Sequence, residues 1–338
     1  MKFRLLSLLI IMGLASLGSQ LMAQDAEPLT IYSGRSESLI GPVLDMFTEA
    51  SGIEVQVVYG DTAAIANQIF EEGKNSPADV YIAQDAGALG LLSKNELLEV
   101  LPEETLELVS NPAFVSPIGE WTGLSGRARV LVYNPETLEA LGLELPESIL
   151  DLTDEIWRDQ VGWAPTNASF QANVSAMRLL IGEDETLAWL EGMVNNGVRA
   201  YEKNTPVVQA VINGEVAVGL VNHYYLYRFL AEDPELTTSL YYFPAGDPGA
   251  LINVAGAAIL KTSDQKEDAL TLINYLLSEE AQTYFAEETY EYPLIEGVEP
   301  SFDLVLLEEI EMPDLDLSDL DDLRGTLELI EESGALDY

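Results

Sequence analysis

Apolar strand patterns alternate with amphipathic helix patterns along most of this chain, and this alternation constrains its fold more than any other feature. Residues 29–35 form a predicted buried strand that turns into a helix over residues 39–51, and residues 53–58 form a second strand. Asp61 is placed to begin the next helix, and residues 78–82 form a third strand. Such alternation is typical of α/β folds with mainly parallel sheets.

Two further apolar strands favour two lobes over one. Residues 127–135 contain a long strand that opens a new run of strand and helix units, and residues 253–260 form another apolar strand late in the chain. Two lobes with a cleft between them account for both. In open α/β sheets, ligands bind beyond the carboxyl ends of strands, close to helix N-termini, so we expect the functional residues there.

The N-terminus has the pattern of an export signal. Lys2 and Arg4 precede an apolar stretch over residues 5–17, and a small-residue cleavage site ends at Ala23. We therefore predict a signal peptide over residues 1–23 and an exported mature chain. No later segment reaches the ~20 apolar residues that a membrane-spanning helix needs. Because the chain has no cysteine, disulfides and a cysteine-linked lipid anchor are excluded.

The chain carries a formal net charge of −43, which argues against nucleic acids and anionic lipid as partners. Acids are densest over residues 303–337, where Arg324 is the only base. This segment is either an acidic interaction tail or part of a generally acidified, halophile-like surface. The second interpretation is favoured because regularly placed leucines still supply a buried face.

The residue inventory limits the chemistry. His223 is the only histidine and no cysteine exists, so multi-histidine zinc and copper sites and Ser-His-Asp catalysis are excluded. A binding protein is therefore favoured over an enzyme. His223 itself is interpreted as a structural neighbour of the adjacent tyrosines, because consecutive side chains on an extended segment point to opposite faces.

Four loops carry groups suited to anions or metals: residues 33–36, 166–169, 204–206 and 222–225. Arg35, after a glycine and before a helix, suits a small oxyanion, although an ordinary helix cap with a surface arginine has the same pattern. Tyr224 and Tyr225 follow an apolar strand. Their phenolates would be hard oxygen ligands for a highly charged cation, and the alternative is a pair of amphipathic rings at a surface.

Several segments together resemble one family. They are residues 30–35 (TIYSGR), 76–80 (SPADV), 125–130 (SGRARV), 222–225 (NHYY), 247–250 (DPGA) and 291–294 (EYPL). In order, and over nearly the whole mature chain, they are similar to the periplasmic ferric-ion-binding proteins, the solute receptors of iron ABC importers. The resemblance implies a two-lobed, transferrin-like periplasmic binding protein fold (type II), with a mainly parallel sheet flanked by helices in each lobe.

By this resemblance, Tyr224 and Tyr225 are the paired phenolate ligands of Fe³⁺, the cargo. Arg35 identifies the chain with members in which an arginine grips a carbonate-like synergistic anion, with Asn167, Asn204 and Asn222 holding the anion or orienting the site. A glutamate ligand of some members is replaced by Gln84, followed by Asp85, so either residue is a candidate third ligand. Asn167 stands in the loop where arginine-type relatives offer a third tyrosine.

The implied lobes are residues 24–124 with about 251–300, and residues 125–250 with about 301–338. The implied protein is a periplasmic monomer that closes on ferric iron by a hinge motion and delivers it to the permease of an importer. An alternative keeps the fold and changes the cargo to a small oxyanion or organic anion held by Arg35 and the asparagines.

Overall fold

The computed structural model describes residues 27–302 and 304–337, so the predicted signal peptide lies outside the described residues. Within that part of the chain, the strands are β1 (Leu29–Ser33), β2 (Val55–Tyr59), β3 (Val80–Ala83), β4 (Thr122–Tyr133), β5 (Val161–Trp163), β6 (Arg199–Ala200), β7 (Val218–Asn222), β8 (Ser239–Tyr241) and β9 (Ile252–Ile259). The helices are α1 (Glu37–Ser51), α2 (Thr62–Glu72), α3 (Ala86–Lys94), α4 (Glu103–Leu106), α5 (Pro135–Leu141), α6 (Ala168–Ile181), α7 (Glu183–Asn195), α8 (Asn204–Ile212), α9 (Tyr224–Glu232), α10 (Lys266–Leu276), α11 (Glu279–Glu287) and α12 (Leu323–Glu332).

The first strand and helix units form where the sequence pattern predicts them. Helix α1 buries Ile40, Val43, Leu44 and Phe47, the spacing of one helix face, and begins two residues before the predicted start. The Asp61 side chain accepts hydrogen bonds from the first backbone amides of α2, which confirms its predicted role as an N-cap.

The strands form a mixed sheet in the order β2-β1-β3-β9-β4-β7-β5-β6, with β8 paired to β4. Strand β1 is parallel to β2 and β3, and β5 is parallel to β6 and β7. The central strands β4 and β9 are antiparallel to their neighbours. The predicted two-lobed α/β architecture is present, but its sheet is mixed because two long strands run through the junction between the lobes.

Strand β4 connects the two lobes. Its residues 122–128 pair with β9, whereas Arg129 and the residues that follow pair with β7. The strand therefore changes partner between Ala128 and Arg129, and the lobe boundary predicted at residue 125 lies inside it. Side chains on β4 near this change of partner are consequently placed between the lobes.

Each lobe has its own packed interior. In the first lobe, Ile31, Val80 and Leu272 are fully buried around β1, β3 and α10. In the second lobe, an aromatic group forms the centre of the core, with the ring centroids of Trp163 and Phe170 5.2 Å apart and those of Trp163 and Trp189 6.1 Å apart. These rigid interiors support the loops at the lobe junction.

The acidic C-terminal segment contacts both lobes. A 3₁₀ turn, Leu317–Asp321, packs on α3, where a Cβ on Gly90 would lie 2.1 Å from the Ser318 carbonyl oxygen. Only glycine permits so close an approach. Helix α12 then packs against α6 and α7 of the second lobe. Within the segment predicted to belong to the second lobe, Leu317–Asp321 thus packs on α3, and α12 packs on α6 and α7.

None of the helices in residues 27–302 and 304–337 combines the length and apolar character needed to cross a membrane.

Candidate functional site

Tyr224 and Tyr225 are the first two residues of α9, directly beyond the carboxyl end of β7. The sequence predicts a strand end here, but His223 already has helical backbone angles, φ −52° and ψ −45°. The two rings therefore project from one helical turn and stack, with centroids 4.3 Å apart and planes 30° apart. Both phenols thus belong to a single compact feature between the lobes.

The Tyr224 hydroxyl is buried and, among the described residues, has no hydrogen-bond partner. Only 1% of the residue is exposed. Burial, followed by the nearby Tyr225, raises the pKa of Tyr224 well above its usual value, although Arg127 opposes the shift. A buried polar group without a partner is costly, so this hydroxyl is suited to a ligand that compensates for its desolvation.

Arg127 and Arg129 lie two positions apart on β4 and are both buried. Arg127 donates from Nη2 to Asp85 Oδ1 at 3.2 Å and to the Gln84 carbonyl oxygen, and from Nη1 to Ser169 at 3.5 Å. These bonds join a strand between the lobes to the first lobe and to the start of α6 in the second.

Arg129 is less fully engaged. Its Nη1 donates to Asn222 Oδ1 at 3.1 Å, while its Nε and Nη2, like the Nε of Arg127, have no partner in the described part of the chain. Burial lowers the pKa of Arg129 to about 10, so the guanidinium remains charged at neutral pH. Buried, charged N–H groups without acceptors are suited to an anion.

The two tyrosines are close enough to Arg127 and Arg129 to affect the pKa of each guanidinium. Burial opposes the charge of Arg127, but Asp85, Glu291 and the two tyrosines outweigh it and raise the pKa of Arg127. The same two tyrosines act on Arg129. The site therefore combines two phenols with two guanidinium groups.

Asn204, predicted to hold the anion or orient the site, lies at the start of a helix that packs on the tyrosine-bearing helix. It is the first residue of α8, which packs against α9 and β7. Asn204 is fully buried, and neither its side-chain oxygen nor its side-chain nitrogen has a hydrogen-bond partner among the described residues. Asn222 is likewise buried but is engaged by Arg129. Asn204 is therefore the asparagine with the greatest capacity to bind a ligand.

Gln84 and Asp85 approach from the first lobe, after β3. Asp85 Oδ1 accepts hydrogen bonds from Arg127 and from Asn253 Nδ2, each at 3.2 Å, whereas its Oδ2 is buried and has no partner within residues 27–302 and 304–337. Burial raises the pKa of Asp85, and Arg127 and Arg129 partly oppose the shift. The side-chain oxygen of Gln84 is also buried without a partner. Both residues thus retain a free oxygen.

The structure does not support Arg35 as the residue that grips an anion. Arg35 is fully buried and donates to Ser125 at 3.0 Å and to Glu291 at 2.8 Å. Burial opposes the charge of Glu291, but Arg35 and Arg127 outweigh this effect and lower the pKa of Glu291. Two nitrogens of the Arg35 guanidinium are thus held by Ser125 and Glu291, and only its Nε lacks a partner among the described residues. Arg127 and Arg129 are the arginines of β4 whose charges the two tyrosines affect.

Asn167 also has a structural role. Its side-chain oxygen accepts the Ser169 backbone N–H at 3.0 Å and caps α6. His223 is a structural neighbour of the tyrosines, as predicted. Its Nδ1 accepts the Ala128 N–H at 3.2 Å, its Nε2 donates to the Tyr290 carbonyl oxygen at 2.9 Å, and burial lowers its pKa to about 4.

Conventional metal ligands do not assemble elsewhere: residues 27–302 and 304–337 contain no group of three or more His, Cys, Asp or Glu side chains arranged to hold a metal. The site overlooked by sequence reasoning is the arginine pair, 127 and 129. Two arginines at alternate positions of an otherwise apolar strand were the available signal, since such positions share one face.

Residues 75–322 match the family model described as bacterial extracellular solute-binding protein. The chain is 36% identical over 309 residues to the major ferric iron-binding protein of Neisseria meningitidis serogroup A, covering 90% of this chain and 92% of that protein. It is 34% identical to the Fe(3+)-binding periplasmic protein of Serratia marcescens, over 99% of this chain and 100% of the relative.

Among solved structures, the fold is similar to that of iron-bound HitA from Pseudomonas aeruginosa. The TM-score is 0.83 and the sequence identity 36%, with 91% of this chain and 99% of that chain covered. This similarity extends over both lobes.

Proposed function

Because the chain belongs to the bacterial extracellular solute-binding protein family, together with the ferric iron-binding proteins, we propose that it captures ferric iron in the cleft between its lobes. The observation that carries this proposal is the stacked tyrosine pair, whose buried Tyr224 hydroxyl lacks a partner and lies near two arginines. Phenolate oxygens are hard donors and suit Fe³⁺. A family of binding proteins also favours capture over catalysis.

Tyr224 and Tyr225 are the proposed metal ligands. Each phenol would release its proton to solvent when the metal binds, because the charge of the metal overrides the cost of a buried phenolate. The third protein ligand is Asp85 or Gln84, since each retains a buried oxygen without a partner. Of these, Asp85 supplies a charge as well as an oxygen, although its other oxygen is already bonded to Arg127.

A carbonate-like anion completes the proposed coordination shell. Arg129 offers Nε and Nη2, Arg127 offers Nε, and Asn204 offers its amide group. A planar guanidinium binds a carbonate-like anion with two parallel hydrogen bonds. This assignment moves the anion from Arg35, which is bonded to Glu291, to the arginine pair on β4. Asn222 then acts by orienting Arg129.

Hinge closure at β4 and β9 is the proposed means of capture and release, because these strands run between the lobes. The protein works as a periplasmic monomer, exported by the signal peptide over residues 1–23 and cleaved near Ala23. It delivers iron to the permease of an ABC importer, a role in keeping with the Fe(3+)-binding periplasmic protein among its relatives.

A second cargo is favoured by one specific observation: Arg129 Nε and Nη2 and the Asn204 side-chain amide have no partner among the described residues, and these donors suit an oxyanion without a metal. Thermal denaturation separates the two proposals. The iron proposal predicts a large rise in Tm with ferric citrate and a small rise with carbonate or phosphate alone. A large rise with an anion and none with ferric iron would establish the oxyanion as cargo.

A further inference from the structure

Arg228 lies over both rings of the tyrosine pair. Its guanidinium carbon is 5.1 Å from the ring centroid of Tyr224 and 5.4 Å from that of Tyr225. All three residues are on α9, where positions three and four apart face the same side of a helix. The stacked phenols therefore carry a cation on their faces, separate from the arginines near Tyr224.

The position of Arg228 is not explained by an ion pair. The chain has 58 acidic residues against 15 basic ones, so a carboxylate partner would be the ordinary choice for an arginine. In the part of the chain that the structure describes, Arg228 is paired with no carboxylate, and its recorded contacts are with the two rings. A partly buried guanidinium is attracted to the electron-rich face of an aromatic ring.

We propose that Arg228 is a positioning residue that holds the two phenols stacked and stabilises the electrons on their rings when both bind Fe³⁺ as phenolates. This inference rests on the proposed function. A metal bound by the hydroxyl oxygens would lie at the edge of the rings. The distance from the Arg228 guanidinium to this metal is therefore longer than its distance to the rings. The guanidinium thus acts more strongly on the phenolate electrons than on those of the metal.

That difference has an optical consequence. The colour of an iron–phenolate site comes from transfer of an electron from the phenolate to Fe³⁺. A cation closer to the donor than to the acceptor raises the energy of this transfer. Removing the charge of Arg228 therefore moves the absorption band to longer wavelength. It also lowers the Fe³⁺/Fe²⁺ midpoint potential, because a nearby positive charge favours the added electron.

The test compares iron-loaded variants of the whole mature chain. Arg228→Met removes the charge and keeps side-chain length, and Arg228→Gln removes it with a polar end. Arg228→Lys keeps the charge but lacks the planar group that stacks on rings. Both neutral variants are expected to shift the band to longer wavelength, with Arg228→Lys nearer the parent. Arg324→Met is the matched control, since Arg324 is exposed and pairs with Glu328.

A merely structural role for Arg228 would weaken iron retention without moving the band. If both neutral variants absorb at the parent wavelength, the inference is overturned while the iron site stands. If the parent chain itself develops no band with ferric iron, the proposed function fails, and this inference fails with it. Circular dichroism of each variant establishes that it is folded. If one of the two neutral variants fails to fold, the other still tests the inference.

Discussion

Arg129 and Asn222 face each other across the antiparallel pair β4 and β7, and Arg129 Nη1 donates to the Asn222 side-chain oxygen at 3.1 Å. This bond fixes one nitrogen of the guanidinium and leaves Nε and Nη2 without partners. The cross-strand pairing thus holds Arg129 where the two tyrosines affect its charge, with two of its donors unpaired among the described residues. The strand register, rather than a flexible loop, determines the direction in which the proposed anion is held.

Arg129→Met should abolish most of the increase in ferric affinity that carbonate gives the parent chain. Losing two charge-assisted hydrogen bonds, about 3 kcal/mol together at the low end of their range, corresponds to about 150-fold weaker ferric binding in the presence of carbonate. Isothermal titration with and without carbonate measures the effect. Arg158→Met, at an exposed arginine paired with Glu155, is the control and should leave the synergy intact. An Arg129→Met protein in which carbonate still strengthens ferric binding as in the parent would refute the anion assignment.

Ferric affinity should fall as the pH falls. Burial raises the pKa of Tyr224, so the free protein holds this phenol protonated at neutral pH, and the metal must displace the proton. Ligation by two phenolates releases two protons. The apparent ferric affinity should therefore fall by about 100-fold for each unit by which the pH is lowered.

The measurement is competition against a chelator whose own pH dependence is known, between pH 6 and pH 8. Tyr225→Phe removes one of the two protons, and its affinity should change by about ten-fold per pH unit. An affinity of the parent chain that does not change across this range would mean that phenolates are not the ligands.

His223 should make folding stability depend on pH in a defined window. Burial lowers its pKa to about 4 in the folded protein, from a usual value of about 6.5. Between these values the unfolded chain binds a proton that the folded chain does not, so stability falls as the pH drops from about 6.5 to about 4. The total loss of unfolding free energy from this group is roughly 3 kcal/mol, and it is complete once the pH is below about 4.

Urea denaturation of the iron-free protein at several pH values measures this loss. Because carboxylates titrate over part of the same range, the informative quantity is the difference between the parent and His223→Gln. The variant should be less stable at pH 7, where it lacks the hydrogen bonds to Ala128 and Tyr290, but its stability should change less with pH. Parallel curves for the two proteins would contradict a buried neutral imidazole.

Local sequence patterns predicted the elements of the fold well where the determinants are local. The apolar spacing of α1 and the cap at Asp61 are both present in the structure. The mixed sheet was not predicted, because the strand direction of β4 and β9 depends on the crossing between lobes. Nothing in the composition of either strand distinguishes a parallel from an antiparallel neighbour.

Adjacent residues indicate only part of the candidate site. The tyrosine pair and Asn204 lie in polar segments next to strand and helix ends, but their proposed roles come from the family resemblance. The residues around Arg35 suit an oxyanion, but its ion-pair partner Glu291 lies 256 residues away in the sequence, so neighbouring residues do not reveal this pair. Arg127 and Arg129 were overlooked in turn, since their access to the tyrosines depends on the β4 and β7 register.

The most direct test of the central claim is the visible absorption of the purified mature chain during titration with ferric citrate. The parent is predicted to develop a phenolate-to-iron band that saturates at one iron per protein. Tyr224→Phe and Tyr225→Phe should each weaken or abolish the band, while Tyr59→Phe, at an exposed tyrosine, should leave it unchanged. Iron retention and a band equal to the parent's in both Tyr224→Phe and Tyr225→Phe would contradict the account.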